Sequence, residues 1–555
     1  SSCEDCEIPN MSLSFDGADD YIFVQNPGPV GDSARSIQFK VKVNSYDEPQ
    51  GLLYYGNGDY GNLGELFSIN FNNSGLYVDH NSGWCKFDGI ILDSSFHDYT
   101  LVMEQGNTLN ELVLYQDGVR YDVSSSDHGS PGTFVINTAY APLYIGKSRH
   151  ISDDYPSQYF NGLIDELIIW DTPLSIEQVE NFLIDPPSYS EQGIVSYWDF
   201  NEGEGDTIND LSGYSNNGII YGATWSEEVM QPPYFGPDWF VSNDGSDDNN
   251  GSQDYPFSSI QHAINVSNES DSIFVTSGTY FENLFIGEKN ITLRSLDGAE
   301  STFLDGGGNG RVIDLNFSNS DSSHGVTIID GFTIRNGIWD ASGAGINLYY
   351  GHLEINNSII EDNESTTDVG GGIAVEYGYL SMYNCSIGSN KARSGGGLAV
   401  RSFSEVNVNE SSLNNNDAFQ QGGGVFISDS SSIHFGDCNI SYNVTYQDCF
   451  TGQGSQGAGI FISSSHLYFS DGVIFNNKSA DTGGGIFASE GSNTEFYHAV
   501  IYGNKAAEVG GGVNTVGAGI GAAFDSNVNF TYCSLADNIT LSGGVGGFFG
   551  TNSII

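Results

Sequence analysis

The second half of the chain repeats a pattern of apolar and polar positions about every 27 residues. Ile, Val, Phe and Tyr alternate with small polar residues in GGGIAVEYGYLSMYNCSIGSN (370–390) and in GGGIFASEGSNTEFYHAVIYGN (483–504). Alternation with a period of two predicts short strands rather than helices. A fixed period of this size predicts a stacked repeat, and roughly three short strands with three turns fit into each unit.

Asparagine marks the period, and a glycine cluster follows most of the marks. The marks are Asn336, Asn363, Asn390, Asn416, Asn443, Asn477, Asn504 and Asn538. Asparagines that stack in successive coils can hydrogen-bond to one another as a ladder. A small residue recurs five positions before each mark from Asn363 onward: Ser358, Cys385, Ser411, Cys438, Gly472, Ala499 and Cys533. Such a column fits an inward position packed against its equivalents, so we predict a parallel β-helix.

Two stretches of this region resemble known families. Gly370 to Ile373 with Ile387 and Asn390, and the equivalent residues from Gly483 to Asn504, resemble the repeats of chlamydial polymorphic outer-membrane proteins, which are surface adhesins. Residues 239–284 resemble the first coil and cap of bacterial parallel β-helix proteins, some of them pectate lyases. The resemblance implies a right-handed β-helix over 239–555. Ser258 or Ser259 would begin a short helix that covers its first coil.

Residues 11–225 lack this repeat and consist of many short apolar-alternating runs separated by DG and NG turns, which predicts a β-sandwich. FDGADDYIFV (15–24), LVLYQDGVRY (112–121) and FNGLIDELIIWDTPLSIEQVENFL (160–183) resemble the laminin-G-like, concanavalin A-like jelly roll. We therefore predict an all-β chain. The sandwich spans residues 1–229, a Pro-rich linker 230–238, and the β-helix 239–555.

The laminin-G resemblance implies carbohydrate or protein binding, often with calcium. Asp16 and Asp165 lie in two strands that are neighbours in that fold, so we expect them to approach one calcium site. Otherwise, Asp16 is a turn residue and Asp165 a buried hydrogen-bond acceptor. Aromatic residues on predicted loops could stack on sugars: Tyr55, Tyr60, Trp84 and Tyr155.

A second candidate calcium loop lies at the start of the β-helix. Asp244, Ser246, Asp248 and Asn250 alternate before Gly251. Calcium loops use such alternating oxygen ligands, although this one lacks the distant glutamate of an EF-hand. Asp244 and Asp248 are the predicted ligands. The alternative is a polar loop closed by side-chain-to-backbone hydrogen bonds.

The charge of the chain limits its partners. With 71 acidic and 16 basic residues, the formal net charge is −55. Nucleic acid is excluded because its phosphates require Lys and Arg. Anionic polysaccharides and membrane surfaces would need bridging cations. Abundant binding of divalent ions fits this charge, and so does plain solubility.

Location and assembly follow from weaker signals. We predict no transmembrane segment, because no run of apolar residues is long enough to cross a bilayer. The chain begins SSCEDC, as expected of a secreted protein after its signal peptide is removed. Its last residues show no polar cap, so another subunit could cover the final coil.

Three functions remain compatible with these features. The favoured one is a secreted or cell-surface adhesin, in which a lectin-like domain binds a glycan or surface protein and the β-helix is a stalk. The second is a structural protein that self-assembles through its last coil. The third is a polysaccharide-active enzyme with a binding module. No nucleophile elbow, P-loop or HExxH motif occurs, which favours a non-catalytic protein and leaves the enzymatic function as an open alternative.

Overall fold

The computed structural model describes residues 10–26, 28–57, 65–80, 83–126, 135–149, 157–318, 325–446, 455–506, 518–523, 526–540 and 548–550. It divides into two compact units, Ser1–Pro233 and Tyr234–Ile555. The division falls inside the predicted linker. Almost all regular structure in both units is β, which confirms the predicted all-β class.

The first unit is a sandwich of two antiparallel sheets, as predicted. In spatial order, the first sheet contains Val119–Asp122, Val113–Gln116, Phe96–Met103, Arg35–Val43, Asn161–Trp170, Ser12–Asp16 and Thr224–Ser226, and Ile194–Trp198 also pairs with Asn161–Trp170. The second sheet contains Ser125–Ser126, Trp84–Phe87, Gly75–Asp79, Leu66–Asn72, Gln50–Gly56, Leu143–Ile145, Tyr21–Val24, Gly218–Tyr221 and Thr207–Ile208.

Aromatic rings hold the two sheets together. Phe39 and Tyr99 of the first sheet stack at 5.2 Å between ring centres, and Phe71 of the second sheet meets Tyr99 edge-on at 5.5 Å. All three rings are completely buried. Such geometry adds about 0.5–1.5 kcal/mol per pair beyond the burial of apolar area.

Two short helices belong to this unit. A 3-10 helix spans Leu109–Glu111, and an α-helix spans Ile176–Ile184. Ser175 begins the α-helix by accepting a hydrogen bond from the N–H of Gln178, whose side chain accepts one from the N–H of Ser175. Phe182 stacks on Trp170 at 5.5 Å, so the α-helix covers the outer face of the first sheet.

The second unit is a parallel β-helix whose strands form four faces, numbered here in the order in which the chain visits them. Face 1 contains Asp238–Val241, Ser272–Val275, Thr292–Ser295, Thr327–Asp330, His352–Asn356, Tyr379–Tyr383, Glu405–Asn409, Ser432–Gly436, His466–Ser470, Asn493–Tyr497 and Asn527–Thr531. Face 2 contains Gly278–Tyr280, Thr302–Asp305, Thr333–Arg335, Ile359–Glu361, Ser386–Gly388, Ser412–Asn414, Asn439–Ser441, Val473–Phe475, Val500–Tyr502 and Ser534–Ala536. Face 3 contains Ile338–Trp339, Glu364–Ser365, Lys391–Ser394, Asp417–Gln421, Val444–Thr445, Lys478–Ser479, Lys505–Ala506 and Ile539–Thr540. Face 4 contains Leu284–Phe285, Ile313–Asn316, Ile346–Tyr349, Ile373–Glu376, Leu398–Arg401, Val425–Ile427, Ile460–Ser463, Ile486–Ser489, Ile520–Ala522 and Phe548–Gly550.

Face 3 corrects the expectation of three strands in each coil. Most of its strands have only two residues, as in Glu364–Ser365 and Lys478–Ser479. They follow directly after the asparagine marks, where the chain is already held in register with its neighbours. Two residues are too few to produce a visible alternation, so the sequence pattern did not predict this face.

The asparagine ladder is confirmed from Asn363 to Asn538. In each of its six steps, the Oδ1 of one asparagine accepts the backbone N–H and the Nδ2–H of the asparagine one coil earlier, at 2.9–3.1 Å. Each Nδ2 also donates to a carbonyl in the preceding coil, as Asn390 does to Ile360. The side-chain amide therefore uses two donor and two acceptor positions.

Asn336 does not belong to the ladder. Ile334 pairs with Ile360, so the residue opposite Asn363 is Gly337, whose N–H donates to the Oδ1 of Asn363 at 2.8 Å. Asn336 occupies the preceding left-handed turn position, with φ of 58°. The spacing of 27 residues from Asn336 to Asn363 is therefore not one coil, and that part of the expectation was wrong.

The predicted small-residue column lies inside the coils. All of its members are buried except Cys533, which is half-buried. Cys85, Cys385, Cys438 and Cys533 are free thiols. Cys3, Cys6 and Cys449 lie outside the described residues.

The cap of the β-helix also has the predicted form. An α-helix spans Ile260–Val266, and the side chain of Ser259 accepts the N–H of His262. Ile260, Ala263 and Ile264 are buried on one side of the helix, against the first coil. No helix in the described parts of the chain is long and apolar enough to cross a membrane.

We expect replacement of Asn416 by alanine to destabilise the β-helix by about 3 kcal/mol, because it leaves several buried donors and acceptors without partners at about 1–3 kcal/mol each. The measurement is the free energy of unfolding in denaturant. Asn409, exposed at the end of a face 1 strand, is the control. Its alanine variant should stay within about 0.5 kcal/mol of the original protein. Equal losses in the two variants would contradict a structural role for the ladder.

Candidate functional site

Three carboxylates converge at one end of the sandwich. One oxygen each of Asp16, Asp19 and Asp20 lies within 4.8 Å of the other two, and we call these residues the acidic cluster. Asp16 ends the strand Ser12–Asp16, and Asp20 directly precedes Tyr21–Val24. Gly17, with φ of +80°, permits the turn between these strands. Asp20 accepts the N–H of Asp16 at 2.8 Å, and Asp16 accepts the N–H of Ala18 at 2.7 Å.

The electrostatics of the acidic cluster favour a bound cation. Burial raises the pKa of Asp20, and the negative charges of Asp16 and Asp19 raise it further. Gly222 packs so closely that a β-carbon there would lie 2.0 Å from the Oδ1 of Asp20. Calcium takes oxygen ligands, largely carboxylates and backbone carbonyls. The residues present therefore fit calcium, whose charge would offset the mutual repulsion of the three carboxylates.

Asp165 is not brought to Asp16. The two strands are neighbours, as expected, but the residue opposite Asp16 is Asn161. Asp165 lies four positions further along the strand than Asn161, a distance of roughly 13 Å. The residues beside Asp16 are Asp19 and Asp20, which belong to the same FDGADDYIFV motif. Calcium binding at Asp16 stays a prediction, with these two as its partner ligands.

A groove of about 400 Å³ adjoins the acidic cluster. Its wall consists of Asp16, Gly17, Ala18, Ser45, Asp47, Glu48, Pro49, Gln50, Ser157, Gln158, Tyr159 and Asn161. The Oδ1 of Asn161 accepts from Asn44 at 3.0 Å, and its N–H donates to the Oε1 of Gln50 at 2.7 Å. The groove therefore presents fixed amides, carboxylates and one tyrosine.

A row of tyrosines crosses the outer face of the second sheet. Tyr54 and Tyr144 stack at 4.9 Å, Tyr21 and Tyr221 stack at 4.7 Å, and Tyr21 lies 6.1 Å from Tyr144. These four residues, the tyrosine row, come from four adjacent strands. Tyr221 is 44% exposed, which leaves its end of the row open to solvent.

The aromatic residues that the sequence analysis placed on loops differ in their exposure. Tyr55 is completely buried and accepts a hydrogen bond from Arg35 at 2.7 Å, so it cannot stack on a sugar. Its neighbour Tyr54 faces outward, because successive side chains of a strand point to opposite faces. Trp84 is half-buried against Tyr77 at 5.3 Å. Tyr60 and Tyr155 lie outside the described residues.

Lys147 connects the tyrosine row with the groove. Its Nζ lies 3.5 Å from the ring centre of Tyr21 and 4.5 Å from that of Tyr144. Burial lowers the pKa of Lys147. Its backbone bridges to Tyr159 in the groove wall, and Tyr21 directly follows Asp20. The acidic cluster, the groove and the tyrosine row are thus neighbours in the fold, and together we call them the candidate site.

Asp165 lines a different cleft, on the outer side of the first sheet. A bulge between Ile164 and Glu166 turns two consecutive carboxylates, Asp165 and Glu166, toward this cleft of about 290 Å³. The Nζ of Lys40 contacts Glu166 at 2.5 Å. Asp165 accepts the N–H of Met230 at 2.7 Å, as expected for a buried hydrogen-bond acceptor.

Burial dominates the electrostatics of the cleft. It raises the pKa of Asp165 and that of Asp98, another residue of the wall, to about 7. Lys40 opposes both shifts, and Glu166 adds to them through like-charge repulsion. The pKa of Lys40 itself is raised, because the attraction of Glu166 outweighs burial, which lowers it. Asp98 and Asp165 therefore change charge close to neutral pH.

Asp244 and Asp248 lie exposed in a polar loop. Their N–H groups donate to the hydroxyls of Ser242 and Ser246 at 3.3 Å. The organising residue is Asp247, whose carboxylate accepts the N–H and hydroxyl groups of Ser258 and Ser259 at 2.7–3.0 Å. Within the described chain, the acidic cluster is the one group in which three Asp, Glu, His or Cys side chains lie close enough together to hold a single metal ion. Calcium binding at Asp244 and Asp248 stays a prediction.

Family models match both units. Residues 16–180 match the concanavalin A-like lectin/glucanases superfamily, in its laminin-G form. Residues 302–465 match the right-handed β-helix region, and residues 243–293 match a family described as a protein of unknown function. The chain thus combines an N-terminal laminin-G-like, concanavalin A-like domain with a C-terminal right-handed β-helix.

Solved structures are similar to parts of the chain at low identity. A candidate carbohydrate-binding protein from Bacteroides ovatus is 14% identical, with a TM-score of 0.30, over 40% of this chain and 61% of that one. The chain thus spans about three fifths of its length. Pectate lyase Pel9A is 15% identical, with a TM-score of 0.30, over 57% and 78%. The CBM40 of Ruminococcus gnavus IT-sialidase, bound to α2,3-sialyllactose, is 16% identical, with a TM-score of 0.21, over 30% and 95%. No curated protein matches the chain.

Calcium should stabilise the sandwich through the acidic cluster. At about 100 times its dissociation constant, a ligand specific to the folded state adds about 2.7 kcal/mol. We expect Asp19→Asn to abolish this gain, measured as the rise in Tm on adding calcium. Asp206→Asn, at an exposed position of the same unit, should retain it. Equal calcium effects in the original protein and Asp19→Asn would rule out the cluster as the site.

The cleft predicts a pH dependence of stability. The pKa of Asp98 is about 7 in the folded state against its ordinary value of 3.8. Its contribution is therefore complete below about pH 4 and is lost as the pH rises through 7. From pH 4 to 8, the original protein should lose up to about 4 kcal/mol relative to Asp98→Asn, at 1.36 kcal/mol for each pKa unit. Denaturant unfolding at several pH values measures this difference. Asp206→Asn should parallel the original protein.

Proposed function

We propose that the protein is a secreted or cell-surface, adhesin-like protein whose laminin-G-like unit binds glycans without cleaving them. The supporting observation is the candidate site, where the tyrosine row and Lys147 adjoin a groove and the acidic cluster. The β-helix would serve as stalk and interaction face. A surface protein as partner and self-assembly through the last coil stay predictions.

The chemistry of the candidate site suits sugars. Pyranose rings present apolar C–H faces, which pack on aromatic rings, and hydroxyls, which both donate and accept hydrogen bonds. Tyr159, Asn161 and Gln158 line the groove with groups of both kinds. Lys147 adds a donor with no acceptor capacity. Calcium at the acidic cluster could bind sugar hydroxyls directly, as an oxygen-preferring ion does.

The charge of the chain narrows the class of glycan. A net charge of −55 repels polyanions, so the expected ligands are neutral glycans, unless calcium bridges the protein to an anionic glycan. Location outside the cell fits the laminin-G-like domain, since such domains are typically extracellular.

One observation favours the alternative, polysaccharide cleavage. The cleft holds Asp98 and Asp165, each with a pKa of about 7, beside the carboxylate of Glu166. Glycosidases pair a carboxylic acid of raised pKa with a second carboxylate. Release of reducing ends from a bound glycan, lost in Asp98→Asn, would establish this function in place of simple binding.

A glycan array probed with the full chain tests the proposal, with calcium and then with EDTA. We expect binding of neutral glycans that EDTA weakens and no release of product. Tyr144→Ala and Lys147→Met should each weaken binding about tenfold, equivalent to about 1.4 kcal/mol. Tyr214→Ala, at a tyrosine that is 65% exposed outside the row, is the matched control. Unchanged binding in both the Tyr144 and the Lys147 variant would refute the assignment.

A further inference from the structure

The outer surface of face 4 carries three polar or aromatic side chains in one column. Tyr349, Glu376 and Arg401 pair in register on three successive coils. Strands in register lie about 4.8 Å apart, so the three side chains follow one another along the axis of the β-helix. This column lies outside the laminin-G-like unit and plays no part in the proposed function.

Arg401 reaches across face 4 to the connections that precede its strands. Its guanidinium contacts Glu376 at 2.5 Å, the hydroxyl of Ser342 at 2.8 Å and the carboxylate of Asp368 at 3.5 Å. The hydroxyl of Ser342 also donates to Asp368 at 2.9 Å. The Nε–H of Arg401 is buried and has no hydrogen-bond partner among the described residues. A guanidinium, two carboxylates and a hydroxyl thus share one small surface.

Tyrosines border this polar surface on the side of face 1. Tyr350 and Tyr377 occupy the turn between faces 4 and 1 on successive coils, with rings stacked at 5.0 Å. Tyr349 meets the ring of Tyr350 at 4.6 Å and that of Tyr377 at 5.9 Å, nearly perpendicular to both. Tyr377 is 40% exposed.

Tyrosine in these turns carries a conformational cost. Tyr350 and Tyr377 have φ of 60° and 54°, in the left-handed region. That conformation costs about 1–2 kcal/mol for a residue with a side chain. On later coils, left-handed positions in this turn hold small or acidic residues, as at Ser402, Asp429 and Glu490, and one further aromatic residue, Phe403. Bulky side chains in such conformations are a reason to look for function.

We propose that this surface of the β-helix is a second glycan-binding site, for a neutral sugar chain that runs along the axis. The tyrosines would pack on sugar rings. The adjacent carboxylate and guanidinium of Glu376 and Arg401 offer an acceptor and a donor side by side, which match two neighbouring hydroxyls. An anionic chain is disfavoured, because two carboxylates surround one arginine. The β-helix is then a binding element in addition to a stalk.

Binding of defined hexasaccharides to the full chain tests this site. The probes are the β-1,4-linked hexamers of glucose, xylose and mannose, and the hexamer of galacturonate as the anionic comparison, each measured by calorimetry. The background variant is Tyr144→Ala, which weakens the candidate site of the first unit. Failure of the first proposal therefore stays distinguishable from failure of this one.

Tyr377→Gly separates binding from folding. Glycine relieves the left-handed strain, so this variant should unfold at the same or a higher denaturant concentration while it loses at least tenfold in affinity for a neutral hexamer. Arg401→Gln should also lose affinity. Tyr532→Gly is the matched control, because Tyr532 is a left-handed tyrosine, 79% exposed, in another turn. It should gain stability in the same way and bind like the background variant.

Three results would overturn the proposal. The first is that no neutral hexamer binds the background variant. The second is that Tyr377→Gly and Arg401→Gln bind as the background variant does. The third is that the galacturonate hexamer binds more tightly than the neutral ones and depends on Tyr377, which would assign the surface to anionic chains.

Discussion

The β-helix depends on one requirement, that a buried asparagine amide must find partners for all its donors and acceptors. From Asn390 to Asn504, each amide meets this requirement through the coil before it and the coil after it. A coil displaced by one residue would leave these groups unpaired at about 1–3 kcal/mol each. The ladder therefore sets the register of every face, and the same register aligns Tyr349, Glu376 and Arg401 on successive coils.

Much of this fold could be predicted from the sequence, because a solenoid repeats its local constraints. Period, small inward column, glycine turns and helical cap each left a recurrent or recognisable signal. Two features did not. Face 3 consists of strands too short to alternate, and Asn336 has the right residue type one position away from the ladder. Both features depend on which residues pair between neighbouring coils. The spacing of residues along the sequence does not show that pairing.

The sites were less predictable, since they depend on side-chain direction and on long-range contacts. Tyr54 and Tyr55 are adjacent in sequence, and only the strand face to which each belongs decides which one meets solvent. Asp165 shares a strand pair with Asp16, but the pairing register and a bulge direct it to the cleft. Asp19 and Asp20 could have been found in the turn motif itself, because a tight turn necessarily brings nearby carboxylates together. Arg401 and Ser342 are 59 residues apart, and no local pattern connects them.

The scarcity of cations gives a way to compare the surfaces. With 16 basic against 71 acidic residues, every lysine or arginine lies in a field of negative charge. Lys147 lies over tyrosines, Lys40 meets Glu166 in the cleft, and Arg401 meets Glu376 beside tyrosines. Screening limits the field to about 8 Å at physiological salt, so the field acts mainly on a ligand that is already within that distance of the surface. At that range an anionic sugar meets repulsion from the surrounding carboxylates, whereas a neutral sugar meets only local donors, acceptors and rings. The same charge that excludes polyanions thus leaves the aromatic and polar surfaces of both units open to neutral glycans.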